Sequence, residues 1–90
     1  MANQNPKWVN LITTGTYVVS TGACNLERII VNTSAAALIT ILDGKQVSGA
    51  KPVGIMQASV PCGTYVFDIA LDYGLTIVLA GASNITVVYK

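Results

Sequence analysis

The sequence predicts an all-β fold, a single small antiparallel β-sandwich or jelly-roll-like domain of about eight strands. Apolar and polar residues alternate in short runs that recur at roughly ten-residue spacing, with turn-forming residues between them. No stretch shows the spacing of an amphipathic helix over three turns. Short strands at regular intervals without a helix are typical of sandwiches and barrels.

The segment 63–90 shows the strand pattern most clearly. Three runs within it alternate with a two-residue period, and they span 64–72, 75–79 and 85–89. In the first run, Tyr65, Phe67 and Ile69 fall on one face. The breaks between the runs are short and turn-like, so the three strands are predicted to pair as an antiparallel meander.

Five more strands are predicted before this segment. They span 8–12, 16–21, 24–32, 37–42 and 53–60. The third contains the β-branched run Ile29-Ile30-Val31, which favours a strand covered on both faces. Asp43-Gly44 predicts a turn, and Gly54 indicates a bulge. The stretch 46–52 is predicted to be a surface loop.

The motif Gly-Thr-Tyr-Val occurs at 15–18 and again at 63–66. Two related halves stacked face to face would explain the repeat. Independent use of a common strand sequence also explains it, because these residues suit strands in general. We favour the second interpretation.

The first seven residues are predicted to form a polar N-terminal arm (1–7), which leaves residues 8–90 for the β-sandwich domain. Pro6 has no N–H to donate to a strand ladder. Chain ends of this kind are ordered only where another element holds them, so we expect the arm to bind a neighbouring chain.

Charged residues are scarce. They make up 10% of the chain, whereas an ordinary soluble domain has about 25%. Hydrophobic residues make up 52%, and the net charge is +1. So small a domain has too little interior to hide this much apolar surface, and little charge to keep copies apart. The composition predicts a surface covered by other protein chains, unless Ala, Gly, Ser and Thr raise the hydropathy without forming an apolar patch.

The residue types that catalysis needs are nearly absent. The sequence has no histidine, which removes the commonest general base and metal ligand near neutral pH, and every Ser–His–Asp or Cys–His arrangement. Asp68 and Asp72 share a strand face, but their Cα atoms are expected about 13 Å apart, too far for a glycosidase pair. We predict no enzymatic activity, no catalytic or metal-binding residue, no cofactor and no small-molecule substrate.

Neither a nucleic acid nor a membrane is predicted as a partner. The charges are balanced and form no basic cluster, whereas nucleic-acid binding depends on one. No apolar run approaches the ~18–20 residues that cross a bilayer.

Cys24 and Cys62 could form a disulfide or remain free, and the sequence alone leaves both possibilities open. No secretory leader points to an oxidising compartment, so free buried thiols are favoured.

Large side chains on the predicted strands are the candidates for contact with a partner chain. Aromatic residues at strand spacing are more often core or interface anchors than a platform for sugars. The interface candidates are Trp8, Leu11, Tyr17 and Tyr89.

An ordered series of short motifs runs from residue 22 to residue 89. The motifs are GACNL at 22–26, IIVNT at 29–33, ITILDG at 39–44, GTY at 63–65, GLTIV at 74–78 and ITVVY at 85–89. In this order they resemble the small β-sandwich structural proteins of tailed bacteriophages, which include capsid decoration (cement) proteins. The resemblance covers most of the chain.

The resemblance implies a virion protein on the capsid surface that is made in the cytoplasm of a host bacterium. Such a protein forms a homo-oligomer, with a trimer as one candidate, and bridges subunits of the major capsid protein to stabilise the head. Two alternatives stay open: a carbohydrate- or receptor-binding β-sandwich module, and a component of the phage neck or tail. The resemblance brings no catalytic residue with it.

Overall fold

The chain folds into eight β-strands, as seen in a computed structural model that describes residues 7–90. The strands are β1 (Lys7–Leu11), β2 (Gly15–Ser20), β3 (Cys24–Thr33), β4 (Ile39–Asp43), β5 (Lys51–Met56), β6 (Gly63–Leu71), β7 (Leu75–Leu79) and β8 (Asn84–Tyr89). Residues 7–90 contain no helix, and therefore none that could span a membrane.

The strands form two four-stranded antiparallel sheets. Sheet A has the order β1-β8-β3-β6, and sheet B has the order β2-β7-β4-β5. Every connection except the β4–β5 hairpin passes from one sheet to the other. This is the arrangement of a jelly roll, so the predicted all-β sandwich is confirmed.

The two halves of the chain have the same topology. Each strand of the first half has a counterpart four strands later, so that β1 corresponds to β5, β2 to β6, β3 to β7 and β4 to β8. When every strand of sheet A is replaced by its counterpart, the order becomes β5-β4-β7-β2, which is the order of sheet B counted from its other edge. The repeated Gly-Thr-Tyr-Val motif lies on β2 and β6, which are equivalent strands in this relation. Each tyrosine hydroxyl donates to a carbonyl four residues earlier, from Tyr17 to Thr13 and from Tyr65 to Pro61. The repeat thus marks equivalent positions in two halves, the interpretation that the sequence alone did not favour.

Apolar side chains from both sheets fill the space between them. The fully buried ones include Leu26, Ile29, Ile39, Ile41, Leu75, Ile77, Leu79, Ile85 and Val87. Most alternate along their strands, as expected where the inner face of one sheet packs on the other. Thr76 of β7 is also buried, and its hydroxyl donates to the carbonyl of Gly44 at 2.7 Å.

β6, β7 and β8 do not form the predicted meander, so that prediction is wrong. β7 lies in sheet B, whereas β6 and β8 flank β3 in sheet A. Alternation shows which face of a strand is buried, but it does not identify the neighbouring strand. The turn 72–74 carries the chain from sheet A to sheet B, and it needs glycine at position 74. A Cβ on Gly74 would lie 2.6 Å from the carbonyl oxygen of Ser20, which is too close for any other residue.

A bulge at Glu27 shifts the alternation of β3. Leu26 pairs with Tyr89 and Arg28 with Val88, so Glu27 has no partner in β8. Leu26 and Ile29 are therefore both in the core although they are three positions apart. Ile30 is only half-buried, on the outer face of sheet A, so the predicted cover on both faces is not found within the single chain.

Two predicted boundaries shift. Lys7 was assigned to the arm, but it pairs with Tyr89 as the first residue of β1. The rest of the predicted arm, 1–6, lies outside the described residues. β5 begins inside the predicted surface loop, and its bulge falls at Val53, next to the predicted Gly54.

Candidate interaction surfaces

The strands run between two ends of the sandwich, the charged pole and the uncharged pole. Antiparallel pairing makes successive strands run in opposite directions, so the turns collect alternately at the two ends. The charged pole comprises the turns 21–23, 44–50 and 72–74 together with Lys7 and Lys90. The uncharged pole comprises the turns 12–14, 34–38, 57–62 and 80–83.

The five basic and four acidic residues of the chain all lie in the half of the sandwich nearer the charged pole. They are Lys7, Glu27, Arg28, Asp43, Lys45, Lys51, Asp68, Asp72 and Lys90. The two signs are mixed there, and Lys90 Nζ lies 3.7 Å from Glu27 Oε2. The turns of the uncharged pole contain no ionisable acid or base except Cys62.

The uncharged pole is held together by small side chains and exposes two large apolar ones. A Cβ at Gly81 would lie 2.7 Å from the Cβ of Ala37, so the turns 34–38 and 80–83 pack closely. Ile12 is 55% exposed and Leu38 is 41% exposed. Exposed apolar side chains without nearby charges are typical of a protein contact surface.

The outer face of sheet B also carries no charge. Its outward side chains form one row of Val18, Thr76, Leu42 and Pro52 and a second row of Thr16, Val78, Thr40 and Ile55. Val18 and Ile55 lie on opposite edge strands, and both are exposed. Thr76 and Leu42 are buried, so the accessible part of this face consists of Val18 and Pro52 together with the second row.

The outer face of sheet A mixes apolar, amide and charged groups. One row across it consists of Trp8, Val88, Arg28 and Val66. Trp8 is 70% exposed and Val66 is 76% exposed, at the two ends of this row. Nearer the uncharged pole, Asn84 Oδ1 accepts hydrogen bonds from Asn10 Nδ2 at 2.8 Å and from Asn32 Nδ2 at 3.2 Å. These hydrogen bonds between amide side chains link β1, β8 and β3 without a charged group.

The sandwich is open along two flanks, where edge strands of the two sheets face each other. β1 and β2 form the β1/β2 flank, and β5 and β6 form the opposite β5/β6 flank. The β1/β2 flank holds a concavity of about 290 Å³, and the β5/β6 flank holds one of about 350 Å³. Among residues 7–90, no charged side chain lines either concavity.

The two flanks are built alike. Each concavity is lined by the tyrosine of a Gly-Thr-Tyr-Val motif, Tyr17 on the β1/β2 flank and Tyr65 on the β5/β6 flank. Each is also lined by an exposed aliphatic side chain of sheet B, Val18 on the first and Ile55 on the second. This likeness follows from the equivalence of the two halves of the chain.

The structure brings three of the four predicted interface residues together. Leu11, Tyr17 and Tyr89 line the concavity of the β1/β2 flank, and Trp8 lies beside them on the outer face of sheet A. Leu11 is only 4% exposed and belongs to the core between the sheets, and its role as a contact residue stays a prediction. Tyr17 and Tyr89 are half-buried and Trp8 is exposed, and their role in an interface stays a prediction.

The β5/β6 flank was missed from the sequence. Ile55, Val66 and the loop 57–61 form its exposed apolar surface. Val66 carried a usable signal, because it is an aliphatic residue between Thr64 and Asp68 on the polar face of an alternating strand. An apolar residue on the outward face of an edge strand indicates an uncovered contact surface.

Cys24 and Cys62 lie at opposite poles, and both are free. A disulfide requires Cα atoms within about 7 Å, so the two cannot pair within one chain. Cys62 is exposed, which corrects the prediction that both thiols are buried. Burial raises the pKa of the Cys24 thiol; a hydrogen bond with Ser20 opposes this rise, and the charge of Asp43 adds to it.

The sequence matches no protein-family model and no curated protein. A solved structure with the same fold is the core of Drosophila NLP, a crystal structure that provides insight into pentamer formation and histone binding. The likeness covers 97% of this chain and 97% of that one, with a TM-score of 0.58 and 12% sequence identity. At this identity the likeness establishes a shared fold.

The comparison corrects what the phage resemblance implied. The prediction of a capsid decoration (cement) protein is wrong, and so are its sugar- or receptor-binding and neck or tail alternatives. The major capsid protein as partner, the capsid surface as location and a bacterial cytoplasm as origin are wrong with it. The structural likeness, which covers 97% of the chain, is to the core of a protein described by its pentamer formation and histone binding. Motifs such as Ile-Ile-Val-Asn-Thr suit strands and turns in general, so they do not by themselves identify a function.

Proposed function

We propose that this chain is the subunit of a closed homo-oligomer, a non-enzymatic protein that assembles through its uncharged surfaces and holds a protein partner on the assembled ring. The separation of charge carries this proposal. Every charged side chain lies toward one pole, whereas the other pole, both flank concavities and the outer face of sheet B have none. Burying an ion in an interface costs free energy, so a surface without ions is one that a neighbour can cover.

The area of the subunit is compatible with such an assembly. A stable interface buries about 800 Å² on each partner. The described chain has an accessible surface of 4955 Å², so two interfaces of that size would cover about a third of it. The charged pole would remain in water and keep the assembly soluble.

The likeness to the NLP core supports a ring. That protein forms pentamers, and it shares the fold over 97% of its length. A subunit with an uncharged concavity on each of its two flanks can join a neighbour on each side, and such head-to-tail contacts close into rings.

Sedimentation equilibrium of the purified chain, from low to high micromolar concentration, tests the proposal. We expect one species larger than a dimer, with a mass that does not change with concentration, because a closed ring has no free flank left to extend. A strict monomer at every concentration would overturn it.

Histone binding is the second candidate, and the likeness to the NLP core favours it. Recognition of a basic partner depends on acidic surface. The four carboxylates all lie toward the charged pole, but five cations are mixed with them. Binding would therefore depend on carboxylates that several subunits bring to the same side of a ring.

Co-elution of the assembled protein with purified core histones tests this second candidate. Binding predicts a joint peak that weakens as salt is raised, and it predicts a smaller joint peak for the variant Asp72→Asn, which removes an exposed carboxylate of the charged pole. Separate elution at low salt, or equal retention of an unrelated basic protein such as lysozyme, would exclude specific histone binding.

A further inference from the structure

We infer that the copies join head to tail, with the β5/β6 flank of one subunit packed against the β1/β2 flank of the next. This inference rests on the proposed homo-oligomer and names the surfaces that form it. The two flanks lie at opposite sides of the sandwich, so each subunit can use both at once.

Strand direction favours this joint. With the charged poles aligned, β6 of one subunit lies beside β1 of its neighbour, and β5 lies beside β2. β6 runs toward the charged pole and β1 runs away from it; β2 and β5 are opposed in the same way. The strands that meet at the joint would therefore be antiparallel in both sheets, which is the relation between neighbouring strands that each sheet already uses.

The edge strands differ in how readily they can pair. In β5, Pro52 has no N–H, and the bulge at Val53 disturbs the edge. β6 is free of proline, and its positive-φ residues are Gly63 at its start, with a φ of +151°, and Asp68, with a φ of +51°. The segment 64–67 of β6 is thus the regular edge available to a neighbouring β1, while β5 and β2 meet through side chains.

Charge complementarity also favours the joint. Across sheet A, Lys7 is in register with Tyr89, Leu26 and Ile69 in turn. Measured along the strand direction, Lys7 at one edge of sheet A is therefore within one residue of the position of Asp68 at the opposite edge. When flanks meet with poles aligned, the exposed Lys7 of one copy comes level with the exposed Asp68 of the next. With the poles aligned, a joint between two identical flanks would instead make the meeting edge strands parallel and bring Lys7 level with Lys7, or Asp68 level with Asp68.

The apolar surfaces of the two flanks complete the joint. Val18 projects from the β1/β2 flank, and Ile55 projects from the β5/β6 flank, each beside a concavity with a tyrosine in its lining. Because the flanks are similar but not identical, contact between them repeats around a ring rather than stopping at a dimer.

Mixing two flank variants tests the inference. Val18→Asp places a charge on the β1/β2 flank only, and Ile55→Asp places one on the β5/β6 flank only. Each variant alone is expected to be monomeric, because an unpaired carboxylate in the joint weakens it by at least about a hundredfold. Mixed in equal amounts, the two variants retain one intact pair of flanks, and we expect a one-to-one heterodimer by native mass spectrometry.

The outcomes separate this inference from the proposed function. A wild-type monomer refutes the homo-oligomer itself. A wild-type oligomer with one variant that still dimerises alone, or with a mixture that stays monomeric, refutes the head-to-tail joint and leaves the homo-oligomer standing. The conservative variants Val18→Thr and Ile55→Thr control for folding and should assemble, with melting curves of all four variants recorded alongside.

Carbodiimide cross-linking of the wild-type oligomer gives an independent check, because it joins an amine to a carboxylate only where the two meet. We expect a peptide linking Lys7 of one copy to Asp68 of another, identified as intermolecular by mixing copies of different isotope content. Cross-links from Lys7 only to carboxylates of its own chain would contradict the alignment.

Discussion

The two poles of the sandwich differ in how their turns are held, although the same strands run into both. At the charged pole, Asp43 accepts hydrogen bonds from the backbone N–H groups of Tyr73, at 2.9 Å, and Asp72, at 3.3 Å. The backbone N–H of Gly44 donates to the carbonyl of Gly74 at 3.2 Å. At the uncharged pole, the turns meet through alanine methyl groups, and Ser59 N–H donates to the carbonyl of Ala35 at 2.8 Å.

This difference separates folding from assembly. The charged pole is a network of polar groups that satisfy one another and face water, so it stabilises the single subunit. The uncharged pole and the flanks expose Ile12, Leu38, Val18 and Ile55, which contribute little to the single subunit. We therefore expect substitutions at the charged pole to change unfolding, and substitutions on the uncharged surfaces to change association.

The largest expected effect is that of Gly74→Ala at the charged pole. The substitution adds a Cβ 2.6 Å from the carbonyl oxygen of Ser20, at a backbone φ of +149°. Steric overlap and backbone strain together should lower the free energy of unfolding by about 2–5 kcal/mol. Urea denaturation measures this. Gly22→Ala is the matched control, because nothing lies within 4 Å of a Cβ there; an equal loss in both variants would contradict the account.

A smaller effect is expected for Asp43→Ala. The substitution leaves the backbone N–H groups of Asp72 and Tyr73 without their acceptor, which should cost about 1–3 kcal/mol in the same denaturation measurement. Asp72→Ala is the control, because within residues 7–90 its carboxylate accepts no such hydrogen bond. If the two variants are equally stable, the capping role of Asp43 is refuted.

Alternation predicted the strands of this fold well, but it could not predict which strands are neighbours. β6 and β7 follow each other through a three-residue turn, yet they lie in different sheets, because a tight turn at Gly74 can cross the sandwich as well as close a hairpin. The bulge at Glu27 could not be predicted either, because a glutamate in a bulge and a glutamate on the polar face of a regular strand look the same in the sequence.

Composition predicted that some surface is covered, but not which one. In the sequence, the charges at 7, 27–28, 43–51, 68–72 and 90 look scattered. Only the up-and-down course of the strands shows that each group falls at the same pole. The β5/β6 flank could not be located for the same reason, because its two strands lie in different sheets.

A smaller effect is expected in the reactivity of the two thiols, one at each pole. Cys62 is exposed at the uncharged pole, whereas Cys24 is half-buried and its pKa is raised by burial. The thiolate is the reactive form, so iodoacetamide should label Cys62 faster than Cys24 in dissociated subunits. The rate at Cys24 should keep rising with pH above the ordinary pKa of a cysteine. Equal rates at both sites would contradict the assigned exposures.

The smallest effect is expected for Ile12→Asp at the uncharged pole. The side chain is exposed, so the free energy of unfolding of the dissociated subunit should change by no more than about 0.5 kcal/mol. Leu11→Asp is the control one residue away, and it should prevent folding because Leu11 is in the core. Both substitutions are made in the Ile55→Asp variant, which is expected to be monomeric, so that urea denaturation measures the stability of the single subunit and not of the oligomer. A large loss for Ile12→Asp would show that this pole stabilises the single subunit.

Whether copies of the chain cover the two flanks is tested most directly by hydrogen–deuterium exchange, compared between the wild-type oligomer and the Ile55→Asp subunit. The account predicts slower exchange in the wild-type protein along the edge strands β1 and β6, and equal exchange in the charged-pole turns 44–50 and 72–74. Slower exchange confined to the charged pole, or no difference along β1 and β6, would contradict it.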